Sequence, residues 1–185
     1  MGDTERLDRV RPRPRWLQAL GAAEPPRRVE IDGAAFDRVD VFKHDSWAAT
    51  ALYAAADDPG RLVVCKFHRQ QGLFGLPVRW MARRMARHEA GLIARLADVP
   101  GVPRLCGAVR VEGRELDYAV ARGFVPGHPL RKREPLPDDF FPRLAALLGT
   151  IHARRMAYSD LHKRENILVG DDGGPYLIDF RIGVR

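Results

Sequence analysis

The sequence predicts an α+β fold, in which a β-rich half with one long helix precedes the start of a helical half. Three observations support this prediction. Short runs of β-type residues, separated by turn residues, fill most of the chain from Val29 to Val125. One apolar stripe of helical period interrupts them, between Val78 and Ala97. A second helical stripe begins at Phe140, after a proline-bounded loop.

Composition divides the chain into three predicted segments. Residues 1–29 are rich in arginine and proline and form an arm around one short apolar segment. Residues 30–125 contain the first strands and the long helix, and residues 126–185 contain the second helix and a hairpin. The hairpin is predicted because Ile167–Val169 and Tyr176–Ile178 are β-type runs on either side of a glycine-rich turn.

Each predicted helix has one apolar face. The long helix has Glu89 in its apolar stripe, where a carboxylate is costly unless it has a partner. The second helix begins after Asp138 or Asp139, either of which can cap it. The predicted buried faces are Met81, Met85, Leu92, Ile93 and Leu96 in the first, and Phe140, Phe141, Leu144, Leu147, Leu148 and Ile151 in the second.

The length and the hydrophobic content of the chain are those of a small folded protein without a bilayer-spanning segment. The chain has 185 residues, 45% of them hydrophobic, which suffices for one ordinary domain or two small lobes. The longest near-apolar run, Ala48–Ala56, is far below the ~20 residues that span a bilayer, and the first residues do not resemble a signal peptide. Cys65 and Cys106 lie in apolar stretches and are expected to be reduced. A cytoplasmic protein is therefore expected.

The net charge of +7 favours an anionic partner, such as a phosphorylated substrate, acidic lipid or nucleic acid. Residues 69–97 contain six arginines and one acidic residue, which is typical of a solvated helix face or of a contact with an anionic surface. The basic stretches lack interleaved aromatic residues, so nucleic-acid binding is a minor alternative. Only four of the 31 basic residues are lysines, and Lys66 stands out because it lies in an apolar strand.

Oxygen-bearing side chains flank the C-terminal hairpin. Asn166 precedes its first strand and Asp179 follows its second, so the hairpin is expected to bring them together, with Asp160 facing them across a loop. Oxygen ligands suit Mg²⁺, and a further carboxylate can orient or accept a proton from an attacking hydroxyl. The same residue types are common in turns, so this pattern alone leaves a purely structural role open.

Lys66 and Glu89 form a second predicted pair. Each is a charged residue in an apolar setting, and pairing satisfies both. A paired lysine can bind phosphate oxygens as a compact charge. A structural ion pair is the alternative for these two residues taken alone.

Together these residues, in this order along the chain, resemble the protein-kinase signature of strand lysine, helix glutamate, Asp-Leu-x-x-x-Asn and Asp-Phe-Gly. The resemblance covers about residues 36–182, and the thirteen-residue separation of Asn166 and Asp179 is similar to the family's. Asp160-Leu161-His162 resembles bacterial small-molecule kinases. The segments 69–76 and 177–180 are similar to lipopolysaccharide-core kinases, which phosphorylate Kdo or heptose.

The resemblance implies ATP and Mg²⁺ as cofactors and gives each motif residue a role. Lys66 would contact the nucleotide phosphates and pair with Glu89. Asp160 would be the catalytic base, and Asn166 and Asp179 would hold Mg²⁺. The connector Gly123, Phe124 and Val125 would be the hinge that meets adenine, and Ser46 would approach phosphate from the segment that replaces the glycine-rich loop.

Several departures from the family pattern are visible, one of which is Tyr158-Ser159 in place of the His-Arg of the catalytic loop. Asn166 follows Asp160 by six residues instead of five, and Lys43–Thr50 contains no glycine where the family has a glycine-rich loop. Asp179-Phe180 is followed by Arg181 rather than glycine. The chain ends at residue 185, where the family continues, so a truncated C-lobe is expected.

The expected function is ATP-dependent transfer of the γ-phosphate to a hydroxyl, with a sugar or lipopolysaccharide-core acceptor favoured over a protein. Peripheral contact with the inner face of a membrane would suit such an acceptor. A bacterial serine/threonine protein kinase is the first alternative. The second is a catalytically inactive nucleotide-binding module, which the missing glycines and the longer loop favour.

Overall fold

The computed structural model describes residues 17–72, 78–158, 161, 163–179 and, as backbone only, 182–184. These residues form two α-helices, α1 (Arg79–Arg95) and α2 (Phe140–Ala153), and a short 3₁₀ helix, Arg164–Asn166. The strands are β1 (Arg28–Ile31), β2 (Ala34–His44), β3 (Ala48–Ala55), β4 (Leu62–His68), β5 (Val109–Val111), β6 (Arg114–Glu115), β7 (Ala119–Gly123), β8 (Gly127–Pro129), β9 (Met156–Tyr158), β10 (Ile167–Gly170), β11 (Pro175–Leu177) and β12 (Ile182–Val184).

A seven-stranded antiparallel sheet in the order β6-β5-β1-β2-β3-β4-β7 forms the first half of the structure. In its strand β4, Val63, Cys65 and Phe67 point into one apolar core. Because side chains alternate across a strand, Val64 and Lys66 point to the opposite face. This alternation, which the apolar run of β4 conceals in the sequence, sets the direction of Lys66.

Helix α1 packs against β4 and β7 on the face to which Lys66 points. Its predicted buried face is partly wrong: Met81 and Met85 are only half-buried, and Ala82 and Ala86 take their place. Small side chains let the helix axis approach the sheet closely, which leaves the longer methionines at the edge of the contact. Leu92, Ile93 and Leu96 are buried as predicted.

Helix α2 and the strands around it form a second apolar core. Phe140, Leu144, Leu147 and Ile151 are buried, and they share this core with Leu92 and its neighbours at the end of α1. Phe141 was predicted to be buried but is 59% exposed, because it lies beyond the edge of the stripe. Asp139 occupies the N-cap position without a side-chain capping hydrogen bond.

The predicted hairpin is present as β10 and β11, and β8 extends it to a three-stranded sheet in the order β11-β10-β8. The sequence indicated only a connector at β8. Gly127 lets the connector pair with β10 as a strand. Its φ of +146° and the close approach of the Val169 carbonyl both suit a residue without Cβ. Strands β9 and β12, which pair with each other, were not predicted either.

The described part of the predicted N-terminal arm packs on the sheet. Ala19 is fully buried; its N–H donates to the carbonyl of Asp45, and its carbonyl accepts from the N–H of Gln70. Residues 1–16 lie outside the described part of the chain. Cys65 and Cys106 are both free, as expected. Neither helix of the described chain combines the length and the apolar character that crossing a bilayer requires.

Candidate functional site

A cleft of about 650 Å³ lies between the seven-stranded sheet and the three-stranded sheet. Strands β2, β3, β4 and β7 supply one side. Strands β8 and β10, the 3₁₀ helix and the two residues after β11 supply the other. Among the predicted site residues, those that line the cleft are Lys66, Gly123, Phe124, Val125, Asn166 and Asp179. Apolar side chains on both sides, including Leu52, Val64 and Leu168, make a slot suited to a flat, apolar group.

Lys66 lies at the back of this cleft between two carboxylates. Its Nζ is 2.9 Å from Oε2 of Glu89 and 2.5 Å from Oδ1 of Asp179. The Lys66 and Glu89 side chains are 8% and 4% exposed, so this is a buried ion pair, whereas Asp179 is 25% exposed on the cleft side. The predicted pairing of Lys66 with Glu89 is therefore present in the structure, and Asp179 joins it.

Glu89 is held as a carboxylate by its surroundings. Burial alone raises its pKa, but the charge of Lys66, together with the neighbouring His68, outweighs burial and lowers the pKa to about 2. His68 Nε2 lies 3.2 Å from the same Glu89 oxygen, yet its alignment is too poor for a well-formed hydrogen bond. Lys66 is thus the principal partner that keeps Glu89 charged inside the protein.

Asn166 and Asp179 are brought together by the hairpin, as the sequence predicted. Ile167 pairs with Leu177, and the N–H of Ile178 donates to the carbonyl of Asn166 at 2.9 Å, which places Asp179 one residue beyond. Asn166 is buried at the end of the 3₁₀ helix. Amide and carboxylate oxygens are the donors that Mg²⁺ prefers, so the chemistry of this pair fits a magnesium ion.

Asp179 adopts a left-handed backbone conformation, with φ of +62°. Non-glycine residues rarely do so, although aspartate and asparagine are several-fold enriched there. The hydroxyl of Tyr158 donates to the carbonyl of the preceding residue, Ile178, and so anchors the backbone next to this turn. In this conformation the Asp179 carboxylate contacts Lys66.

A tight turn occupies the place of the glycine-rich loop. Oδ1 of Asp45 accepts hydrogen bonds from the N–H groups of Trp47 and Ala48, which closes the chain between β2 and β3. Ser46 is not among the described residues that line the cleft, and its carbonyl accepts a 2.6 Å hydrogen bond from Arg69. Without glycine, the turn is instead ordered by the side chain of Asp45.

One contact spans the mouth of the cleft. Nζ of Lys43, in β2, lies 3.1 Å from Oδ2 of Asp45 and 3.8 Å from Oε1 of Glu165, in the 3₁₀ helix. Lys43 and Glu165 are largely exposed, so the contact between them adds little stability. The positive charge of Lys43 and the negative charge of Glu165 nevertheless lie at the rim of the cleft.

The connector between the two sheets has its backbone partly engaged. The N–H of Gly123 donates to the carbonyl of Arg104, and that of Phe124 donates to the carbonyl of Leu62. Within the described part of the chain, the N–H of Val125 has no hydrogen-bond partner. It is therefore available to a ligand in the cleft.

Asp160, the predicted catalytic base, and Phe180 lie outside the described residues. Sequence reasoning also missed Arg122, which lies in β7 and lines the cleft immediately before the connector. The sequence shows Arg122 as a charged residue in an apolar strand, but arginine is the commonest basic residue in this chain, and only the strand register shows that Arg122 faces the cleft.

Comparisons with known proteins bear on the fold. No protein-family model matches the chain. Metacaspase-2 of Trypanosoma brucei brucei is 41% identical over 61 residues, which are 33% of this chain and 16% of that protein. Because so small a share of either protein is involved, this match says nothing about the cleft.

Two solved structures resemble much more of the chain. The Rio2 kinase–ADP/Mg²⁺–phosphoaspartate complex from Chaetomium thermophilum has a TM-score of 0.57 and 18% identity, over 80% of this chain and 49% of that one. The apo form of PpkA-294 has a TM-score of 0.60 and 18% identity, over 78% and 57%. The chain thus spans about half the length of the solved structures it matches. Its architecture, a curled β-rich sheet with one long helix followed by a second helix and short strands, is a protein-kinase-like fold.

Proposed function

We propose that the protein is a phosphotransferase that moves the γ-phosphate of a purine nucleoside triphosphate, with ATP the expectation from the family resemblance, to a hydroxyl group. The observation that carries this proposal is the position of Lys66 between Glu89 and Asp179, in a cleft that Asn166 also lines. A lysine held in this way presents a fixed positive charge to phosphate oxygens. The solved Rio2 kinase complex contains ADP and Mg²⁺, which agrees with this choice of ligands.

The chain's own residues would act mainly by positioning and charge. The base would lie in the slot between Val64 and Leu168, and the N–H of Val125 would donate to one of its edge atoms. Lys66 would hold phosphate oxygens in the depth of the cleft. Asn166 and Asp179 would hold Mg²⁺, which when bound neutralises phosphate charge.

Asp160 would act on the acceptor. Its carboxylate would orient the acceptor hydroxyl and take its proton, while the hydroxyl oxygen forms a bond to the γ-phosphorus and the bond to the bridging oxygen of the nucleoside diphosphate breaks. This role rests on the resemblance of Asp160-Leu161 and Asn166 to the catalytic loop of kinases.

A sugar or lipopolysaccharide-core acceptor remains the favoured substrate. Two things support it: the likeness of segments 69–76 and 177–180 to kinases of that class, and the basic face of α1, where Arg79, Arg83, Arg84 and Arg87 are exposed. Such a face suits a phosphorylated glycolipid at the inner surface of a membrane. A protein acceptor is the alternative within the same chemistry.

An inactive nucleotide-binding module is the second candidate. It is favoured by the turn at Asp45, where a side chain replaces the glycines that would cover the phosphates, and by the longer spacing between Asp160 and Asn166. This candidate retains the cleft and the ligand contacts of Lys66 but predicts no transfer.

The test is transfer of labelled γ-phosphate to separated glycolipid and protein fractions. Asp160→Asn is expected to abolish transfer while nucleotide still binds, and Asp171→Asn, which changes an exposed turn carboxylate, serves as the matched control and is expected to keep activity. Label in the glycolipid fraction supports the favoured acceptor, and label in the protein fraction supports a protein kinase. Binding without transfer by the parent protein would establish the inactive module instead.

A further inference from the structure

Arg122 is a buried cation that the proposed chemistry does not yet use. It lies in β7, is 8% exposed and lines the cleft. Its Nη1 is fully buried without a hydrogen-bond partner in the described structure. No carboxylate of the described residues lies within ion-pair distance of Arg122. A buried N–H donor without an acceptor costs free energy, and a ligand in the cleft that Arg122 lines would supply an acceptor.

The register of β4 and β7 places Arg122 beside the base slot. Arg122 pairs with Val64, and Val120 pairs with Lys66, so Arg122 and Lys66 lie on the same face of the sheet, one on each of two neighbouring strands. Arg122 also directly precedes the connector, Gly123–Val125. A flat group held against Val64 and the connector therefore has one edge toward the guanidinium.

Guanidinium chemistry restricts what that edge can be. Arginine donates hydrogen bonds and accepts none, so it requires acceptor atoms. The N7/C6 edge of guanine offers two adjacent acceptors, N7 and O6, which match the arginine fork. The same edge of adenine offers N7 beside an amino group, and that donor would face the donors of Arg122.

We propose that Arg122 reads the base and that the cleft prefers a 6-oxopurine nucleotide, such as one of guanine or hypoxanthine, over an adenine nucleotide. The proposal rests on the proposed function, because it requires a nucleotide in the cleft. It changes the expected donor from ATP to GTP and makes Arg122 a specificity-determining residue.

The test is calorimetric measurement of the Kd of GTP, ITP and ATP with the whole chain, in the presence of Mg²⁺. GTP and ITP are expected to bind about tenfold tighter than ATP, within the range that a bidentate arginine contact gives. Hypoxanthine shares N7 and O6 with guanine but lacks its 2-amino group, so equal behaviour of GTP and ITP assigns the preference to this edge.

Variants of Arg122 test whether this residue causes the preference for GTP over ATP. Arg122→Met fills the same space without hydrogen-bond donors. In this variant the Kd values of GTP and ATP are expected to lie within about twofold of each other. Arg122→Lys keeps the charge without the fork and is expected to retain only part of the preference. Arg110→Met, which removes an exposed arginine from β5, is the matched control and is expected to keep the full preference for GTP.

The outcomes separate this inference from the function on which it rests. Binding of ATP by the parent protein as tightly as GTP overturns the 6-oxopurine preference and leaves the phosphotransferase proposal intact. A preference for GTP that survives in Arg122→Met also overturns the role of Arg122. Absence of binding by any of the three nucleotides overturns both proposals. If the Arg122 variants fail to fold, the comparison of the three nucleotides with the parent protein still decides.

Discussion

Nζ of Lys66 lies 2.5 Å from Oδ1 of Asp179, although 113 positions of sequence separate the two residues. This ion pair connects β4, the strand next to one edge of the large sheet, to the end of the C-terminal hairpin. Lys66 also contacts Glu89, so one cation faces two carboxylates and the trio has a formal charge of −1. Asp179 would hold a divalent cation, whose charge would offset this excess, while Lys66 would bind phosphate oxygens.

Removal of Lys66 is expected to affect stability as well as binding. Lys66→Met leaves Glu89 buried without its main partner, and loss of one member of a buried ion pair costs about 3–5 kcal/mol. Lys43→Met removes an exposed lysine from the same cleft and is expected to cost less than about 1 kcal/mol. Urea denaturation measures both. Equal effects of the two substitutions would show that the ion pair of Lys66 and Glu89 contributes little.

The pKa of Glu89 predicts how stability depends on pH. Its pKa falls from 4.5 to about 2 in the folded protein, so the folded state stabilises the carboxylate. The resulting contribution is fully present above pH 4.5 and is lost as the pH falls from there toward 2. Denaturation midpoints measured across this range are expected to fall more steeply for the parent protein than for Glu89→Gln. Parallel curves would contradict the assignment of Glu89 as a buried carboxylate.

Asp179 is expected to couple nucleotide binding to Mg²⁺. Asparagine tolerates the φ of +62° at this position, so Asp179→Asn removes the charge with little added backbone strain. Nucleotide affinity of the parent protein should rise on addition of Mg²⁺, and that of Asp179→Asn should respond at least tenfold less. Titration calorimetry with and without Mg²⁺ measures the difference. An unchanged response in Asp179→Asn would exclude Asp179 as a metal ligand.

Two glycines make a matched pair for testing the junction of the two sheets. A Cβ at Gly127 would lie 2.3 Å from the carbonyl oxygen of Val169, and its φ of +146° is unfavourable for alanine. Gly127→Ala is therefore expected to destabilise by more than about 1 kcal/mol. Gly91 lies exposed in α1 with open space around it, so Gly91→Ala is expected to stabilise by up to about 1 kcal/mol. Thermal unfolding distinguishes the two variants. A loss of stability in both Gly127→Ala and Gly91→Ala would contradict the open surroundings of Gly91 in α1.

The sequence predicted the parts of the fold that depend on local pattern. The long helix and the C-terminal hairpin were predicted because periodicity and turn residues mark them, and Lys66 and Glu89 were paired because each is a charge in an apolar setting. Strand β8 was missed because it is three residues long and its pairing depends on the distant Val169. Arg122 was missed because only the register of β7 shows that it faces the cleft.

The most direct test of the central claim is calorimetric titration of the parent protein, Lys66→Met and Asp179→Asn with nucleoside triphosphate and Mg²⁺. If the cleft is a nucleotide site, the parent protein binds with one nucleotide per chain, and both variants bind at least tenfold more weakly while remaining folded at the temperature of the titration. Binding of equal strength in all three proteins, or no binding by the parent protein, would contradict the assignment of Lys66 and Asp179 to a phosphate and metal site.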